Sequence, residues 1–370
     1  MTDATAPQRT AYDLVVVGAG AVGLAAAWRA AQAGLSVLVV DRDFAGAGAS
    51  GVAAGMLAPV TEADFGEQDL LALNVEGRAL WGEFAAELEA VTRRPAGYAD
   101  SGCLVVAADR DDAAELRRLH QYQQSLGLEA EWLTPSAARA LEPGLSPRIG
   151  GAISTPDDGQ VEPRAVVAAL VTALVAAGGE LVEGTEVAAL AGDRERVTGV
   201  VAAGGERIEA GHVLVACGAW SGRPPFGAEP GAPAVRPVKG QLLELRAGDD
   251  RAPFGARLIR TTRCYVVCRQ GGRVVIGATT EERGFDTAVT ADGVFRLLEA
   301  AIEVLPDVAE LELTGMRAGL RPGTPDGRPV IAAGEREGLV WATGHGRNGV
   351  LLAPLTANRV LGLLGVGVPG

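Results

Sequence analysis

The sequence predicts an α/β fold in which a Rossmann-like dinucleotide-binding domain is interleaved with a domain built on an antiparallel sheet. Strand-like and helix-like runs alternate in the first and last thirds of the chain, which is typical of a parallel sheet between helices. The middle third carries strand-like runs, two of them joined by Gly271-Gly272, and this favours hairpins. With 370 residues, of which 48% are hydrophobic, the chain is long enough for two interlocked domains.

The chain begins with a βαβ unit. Residues 12–17 predict a strand, 24–33 a helix and 36–40 a second strand, and the glycine run GAGAVG (18–23) lies between the first strand and the helix. In this pattern the first glycine permits a tight turn, the second lets a pyrophosphate approach the backbone and the third lets helix and strand pack closely. Asp41 follows the second strand, where a carboxylate accepts hydrogen bonds from ribose hydroxyls. FAD or NAD is therefore favoured over NADP.

The remaining elements follow from apolar periodicity and from glycine and proline breaks. Helices are predicted at 69–91, 111–126, 163–177, 294–304 and from Leu352 onward. Strands are predicted at 151–155, 180–183, 197–202, 212–216, 241–245, 264–269, 273–276, 316–320 and 339–342, with a crossover between domains at 222–237. Residues 1–11 are expected to form a flexible tail.

Charge and cysteine content exclude several classes of protein. Thirty-three basic and 46 acidic residues give a net charge of −13, which argues against a nucleic-acid or anionic-membrane partner. Four scattered cysteines are too few for a disulfide scaffold and lack metal-ligand spacing, so a reducing cytoplasm is expected and no metal site is predicted. No apolar run is long enough to predict a membrane span.

Later runs of small residues favour FAD over NAD. Residues 49–59 follow the βαβ unit and contain mostly small side chains, which would admit a flavin ring. Residues 213–222 and 344–349 each place glycines directly after an apolar strand. The second run also precedes a helix, so its backbone N–H groups could meet the electron-rich edge of the flavin.

These motifs, taken in order, resemble the D-amino-acid oxidase family of flavoproteins. They are GAGAVG, ASGVAAGMLAP, TPDDGQVEP, ACGAWSG, RPVKGQ, CYVVCR, IGATTEERGFD, AGLRPGTPDG and ATGHGRNG. The resemblance spans nearly all of residues 12–365. It implies a Rossmann-like FAD-binding domain from residues 12–90, 151–222 and 316–368, and an antiparallel-sheet substrate domain from 91–150 and 223–315.

The resemblance and the glycine pattern together give a set of candidate site residues. The candidate FAD-binding residues are Gly18, Gly20, Ala21, Val22, Gly23, Asp41, Arg42, Ala49, Ser50, Ala54, Gly55, Met56, Val187, Gly218, Trp220, His345, Gly346, Arg347, Asn348, Gly349, Val350 and Leu351. For the substrate, the resemblance implies that Arg321 holds a carboxylate, that Tyr265 adds a hydrogen bond and that Arg347 lies on the substrate side. A guanidinium presents two parallel donors that match a carboxylate.

The implied activity is oxidative deamination of glycine, sarcosine or D-alanine, with dioxygen as the electron acceptor. Alignment of the substrate matters most for hydride transfer, so no acid–base catalyst is predicted, and His345 is interpreted as a flavin neighbour rather than a base. Noncovalent FAD is expected, because relatives with covalent flavin need a cysteine near the Arg321 segment and none follows Cys268. A homotetramer is among the states that the resemblance suggests.

Two departures from the family pattern and three other functions stay open. Arg317 could retune substrate preference or pair with a surface acid, and pairing is favoured; Cys268 stands where a proline is usual. The competing functions are a D-amino-acid or sarcosine dehydrogenase with another electron acceptor, an RNA-acting flavoprotein and a noncatalytic FAD-binding partner. The acidic balance counts against an RNA substrate.

Overall fold

The computed structural model describes residues 7–248, 255 and 257–368, so most of the predicted tail lies outside the described part. The strands, in chain order, are β1 (Ala11–Val17), β2 (Val37–Val40), β3 (Met56–Leu57), β4 (Cys103–Ala107), β5 (Glu131–Leu133), β6 (Gly151–Thr155), β7 (Gly159–Gln160), β8 (Glu180–Val182), β9 (Val187–Gly192), β10 (Val197–Ala202), β11 (Arg207–Val215), β12 (Arg236–Arg246), β13 (Leu258–Arg260), β14 (Tyr265–Cys268), β15 (Arg273–Gly277), β16 (Glu312–Gly323), β17 (Val330–Ala333) and β18 (Leu339–Thr343). The helices are α1 (Ala21–Gln32), α2 (Ala49–Val52), α3 (Gln68–Ala79), α4 (Trp81–Thr92), α5 (Arg110–Ser125), α6 (Pro135–Leu141), α7 (Pro163–Ala176), α8 (Ala291–Val304) and α9 (Ala353–Leu363).

The first sheet has the parallel centre that the glycine fingerprint predicts. Its main order is β17-β18-β11-β1-β2-β8, and β1 pairs in parallel with both β2 and β11. The strands β10 and β9 extend from β11 in antiparallel pairing. Helix α1 packs against α7 and α9 over a core that includes the fully buried Trp28. The Rossmann-like α/β architecture is confirmed.

The second sheet is mostly antiparallel, in the order β16-β12-β15-β14-β13-β4-β6-β5. One pair, β4 with β13, is parallel, which the antiparallel prediction did not include. Helix α8 packs on this sheet through Leu297 and Ala301. The strands β6 and β16 pair in this sheet, although the predicted boundaries at 151 and 316 assign residues 151–155 and 316–323 to the FAD-binding segments.

The long helix predicted at 69–91 is wrong as a single element. The chain bends at Leu80 and forms α3 and α4. At the bend, Gly77 lies against Leu352, and the Trp81 indole donates to the Leu351 carbonyl at 2.8 Å. Helical periodicity continues through such a bend, so the sequence pattern does not reveal it. None of the helices in the described ranges combines the length and apolarity that a bilayer crossing requires.

Candidate functional site

A cavity of about 660 Å³ lies where the two sheets meet and gathers most of the predicted site residues. Its lining includes the substrate candidates Arg321, Tyr265 and Arg347. From the FAD-binding prediction it includes Gly18, Gly20, Ala21, Val22, Asp41, Arg42, Ala49, Ser50, Ala54, Gly55, Met56, Val187, Gly218, Trp220, His345, Gly346, Gly349 and Val350. The predicted residues Gly23, Asn348 and Leu351 are not part of this lining. Its volume is in the range of small-molecule and cofactor sites.

The glycine turn after β1 brings the N-terminus of α1 to the cavity. Gly18 has a φ of +112°, and a Cβ there would lie 2.4 Å from the Ala216 carbonyl oxygen, so a side chain is excluded. The first N–H of α1, from Ala21, donates to the Ser50 Oγ at 2.9 Å. A Cβ on Gly23 would lie 2.1 Å from the Gly18 carbonyl oxygen, so this glycine serves helix–strand packing. The helix end and its backbone donors suit an anionic phosphate.

Asp41 and Trp220 form a second part of the cavity wall. The Asp41 carboxylate accepts the Ala19 N–H at 2.7 Å and the Asp43 N–H at 2.9 Å. Burial raises the pKa of Asp41, and these two backbone donors oppose the rise. The Arg42 guanidinium lies 4.3 Å from the centre of the Trp220 ring. A fixed acceptor beside a flat cationic and aromatic surface is the chemistry that a nucleoside requires.

Arg321 and Tyr265 lie together on the second sheet, each against a glycine of the neighbouring strand. A Cβ on Gly240 would lie 2.5 Å from the Arg321 Nη1, and one on Gly277 would lie 2.4 Å from the Tyr265 hydroxyl. Arg321 donates to the Thr279 carbonyl at 3.1 Å, and within the described residues it makes no ion pair with a carboxylate. Burial raises the pKa of Tyr265, and the Arg321 charge opposes that rise. The site therefore offers an unneutralised guanidinium beside a neutral phenol.

The sequence prediction missed Glu62, a cavity residue that pairs with two arginines. Its carboxylate lies 3.3 Å from Arg347 and 3.1 Å from Arg260, and Arg347 also contacts Glu67 at 2.7 Å. The guanidinium of Arg347 is thus compensated by acids, in contrast to that of Arg321. The position of Glu62 just after the small-residue run 49–59 was the available signal.

His345 lines the cavity as a neutral ring. Its Nε2 lies 2.9 Å from the Thr356 hydroxyl, and burial lowers its pKa to about 4. A group with that pKa is a weak proton acceptor near neutral pH. These observations favour the interpretation of His345 as a neighbour of the cofactor.

Arg317 lies outside the cavity, and the favoured interpretation of it is confirmed. Its guanidinium pairs with Glu244 at 3.2 Å, and Glu244 also contacts Arg164 at 2.7 Å. The extra cation is therefore used in a surface ion pair. Cys268, the second departure, is a buried residue of β14 and does not line the cavity.

The residues of this cavity suit FAD. The wall on the first sheet provides the anion-binding helix end and the acid, and the lining glycines Gly218 and Gly346 leave open space where a Cβ would lie. The wall on the second sheet provides a cation and a phenol for a carboxylate substrate. A dinucleotide and a small acid could therefore lie in contact within one cavity.

Comparisons with known proteins agree with this geometry. Residues 13–361 match the family model described as DAO, FAD dependent oxidoreductase. The chain is 36% identical to the glycine oxidase of Geobacillus kaustophilus over 95% of this chain and 93% of that protein. It is 34% identical to the bifunctional protein ThiO/ThiG of Synechocystis sp. over 96% of this chain, and spans 52% of that protein. The crystal structure of glycine oxidase from Geobacillus kaustophilus superposes with a TM-score of 0.90 at 35% identity, covering 96% of this chain and 95% of that one.

Proposed function

Because the chain belongs to the DAO family of FAD-dependent oxidoreductases and is of the glycine oxidase type, we propose that it deaminates glycine and other small amines oxidatively. Sarcosine and D-alanine are the other substrates in this proposal. For glycine, the reaction consumes water and dioxygen and gives glyoxylate, ammonia and hydrogen peroxide. When bound, FAD supplies the hydride acceptor and passes the electrons to dioxygen.

The observation that carries this proposal is the Arg321 guanidinium, which has no carboxylate partner in the described part of the chain, beside the Tyr265 hydroxyl in the cavity. Two parallel N–H donors and a phenol fix both the position and the orientation of a small carboxylate. Such fixation holds the α-carbon of the substrate in one place, which is the main requirement of hydride transfer.

Among the residues that the structure describes, none near this pair is a strong base for the amine proton. His345 is neutral with its ring on Thr356, and Glu62 is neutralised by Arg260 and Arg347. We therefore propose that the substrate enters with its amine already neutral, or loses the proton to solvent. The residues of the cavity then act by binding and alignment.

Several finer features belong to the same proposal. FAD is bound noncovalently, and acid precipitation that releases all of the flavin would support this. The similarity to ThiO/ThiG supports a role in making the thiazole of thiamine. The discontinuous division into FAD-binding and substrate domains, the homotetramer and the cytoplasmic location stay predictions.

The proposal is tested by mixing the purified holoenzyme with glycine, first without and then with air. We expect the flavin absorbance band to bleach anaerobically and hydrogen peroxide to form in air. Bleaching without peroxide would instead favour a dehydrogenase. No bleaching by glycine, sarcosine or D-alanine would contradict the proposed amine oxidation.

A further inference from the structure

Arg269 is a buried cation that contacts the backbone of the cavity without lining it. It ends the motif CYVVCR, directly after β14, and its side chain is 8% exposed. Its Nη2 donates to the carbonyl oxygen of Ala54, and its Nε lies 3.4 Å from the Glu162 carboxylate. Ala54 and Gly55 both line the cavity. The charge of Arg269 therefore lies next to a peptide group that forms part of the cavity wall.

The contact fixes the direction of one peptide group. In a planar trans peptide the carbonyl and the following N–H point in opposite directions. Since the Ala54 carbonyl is held by Arg269, the Gly55 N–H points away from that guanidinium. The next carbonyl, that of Gly55, accepts the Val161 N–H at 2.9 Å. Two successive carbonyl groups are thus each held by a donor from another segment of the chain.

The ion pairs around Glu162 separate the role of Arg269 from that of its neighbour. Glu162 pairs with both Arg269 and Arg273, and the side chain of Arg273 is 54% exposed. Of these two arginines, it is Arg269 that donates to the Ala54 carbonyl. A cation that served Glu162 alone would need neither burial nor this carbonyl.

We propose that Arg269 is a positioning residue for the flavin, which sets the Ala54–Gly55 peptide so that its N–H is presented to the bound cofactor. The positive charge polarises this peptide and so favours the electron-rich reduced flavin. The inference depends on FAD binding and is independent of which amine is oxidised.

The test compares R269Q, R269K and the matched control R273Q, each purified with FAD. When the Ala54–Gly55 peptide is no longer held in R269Q, its N–H loses a hydrogen bond to the cofactor that is worth up to roughly tenfold in binding, so the Kd for FAD should rise by about that factor. The visible spectrum of the bound flavin should also shift, and its midpoint potential should fall. R269K keeps the charge and a donor, and should recover most of both properties. R273Q should match the wild type.

Two results would overturn the proposal: an unchanged Kd and spectrum in R269Q, or equal changes in R269Q and R273Q. If R269Q fails to fold, hydrogen exchange of wild-type protein stripped of FAD provides the second test. The Gly55 amide, which faces the cavity, should exchange freely in the stripped protein and slowly once FAD is bound. Exchange at Gly55 that does not slow when FAD is added would contradict the presentation of this N–H to the cofactor.

Discussion

Replacing Gly240 by alanine should displace the Arg321 guanidinium without disturbing the fold. The new Cβ would lie 2.5 Å from the Arg321 Nη1, whereas ordinary contacts begin at 3.4 Å, so the guanidinium must move by about 0.9 Å. A misplacement of roughly 1 Å at a binding group costs on the order of a hundredfold in rate. The clash is with the far end of a flexible side chain, so the free energy of unfolding should change by less than about 1 kcal/mol.

The assay measures kcat and KM for glycine by peroxide formation, together with the Kd for FAD. In G240A we expect kcat/KM to fall roughly a hundredfold, mainly through KM, while the flavin stays bound. The matched control is G315A on β16, whose Cβ would meet the Glu244 carboxylate at 3.1 Å outside the cavity. An unchanged KM in G240A would refute the assignment of the substrate site to the Arg321 guanidinium, which packs against Gly240. The same loss of kcat/KM in G315A would refute it as well.

Two further predictions concern buried carboxylates. Asp41→Asn places an amide where the carboxylate accepts two backbone N–H groups, so the Kd for FAD should rise at least about tenfold by equilibrium titration; unchanged affinity would contradict the role given to Asp41. Burial raises the pKa of Asp158 from 3.8 to about 6, so between pH 4 and 6 the folded state holds more protons than the unfolded state. Raising the pH through this window should therefore cost the wild type about 3 kcal/mol that Asp158→Asn does not lose. Thermal unfolding of both proteins and of the exposed control Asp157→Asn checks this, and the prediction is contradicted if the stability of the wild type relative to Asp158→Asn does not fall as pH rises.

The parts of the site that were predicted from sequence are those encoded by neighbours in the chain. The strand, glycine turn, helix and acid of residues 12–41 occur within one short unit, so their periodicity and spacing give both the fold and the dinucleotide site. Arg321 and Tyr265 were found through motifs that resemble a family, and the structure places both in the cavity.

The missed parts depend on pairings between distant segments. The Arg321 guanidinium, on the neighbouring strand, occupies the space where a Cβ of Gly240 would lie. The Tyr265 side chain on β14 occupies the corresponding space at Gly277. The strand β13 is short and pairs with β4 from a remote part of the chain, which no local pattern indicates. Glu62 belongs to the site because Arg260 and Arg347, which come from remote parts of the chain, lie beside its carboxylate.

The central claim is that Arg321 binds the substrate carboxylate, and Arg321→Ala tests it most directly against Arg317→Ala on the same strand. Removing one partner of a buried charge pair costs about 2–5 kcal/mol, so KM for glycine should rise at least about thirtyfold in Arg321→Ala while FAD stays bound. Arg317→Ala should keep the wild-type KM, since its guanidinium pairs with Glu244 outside the cavity. Loss of FAD from Arg321→Ala, or an unchanged KM, would contradict the account.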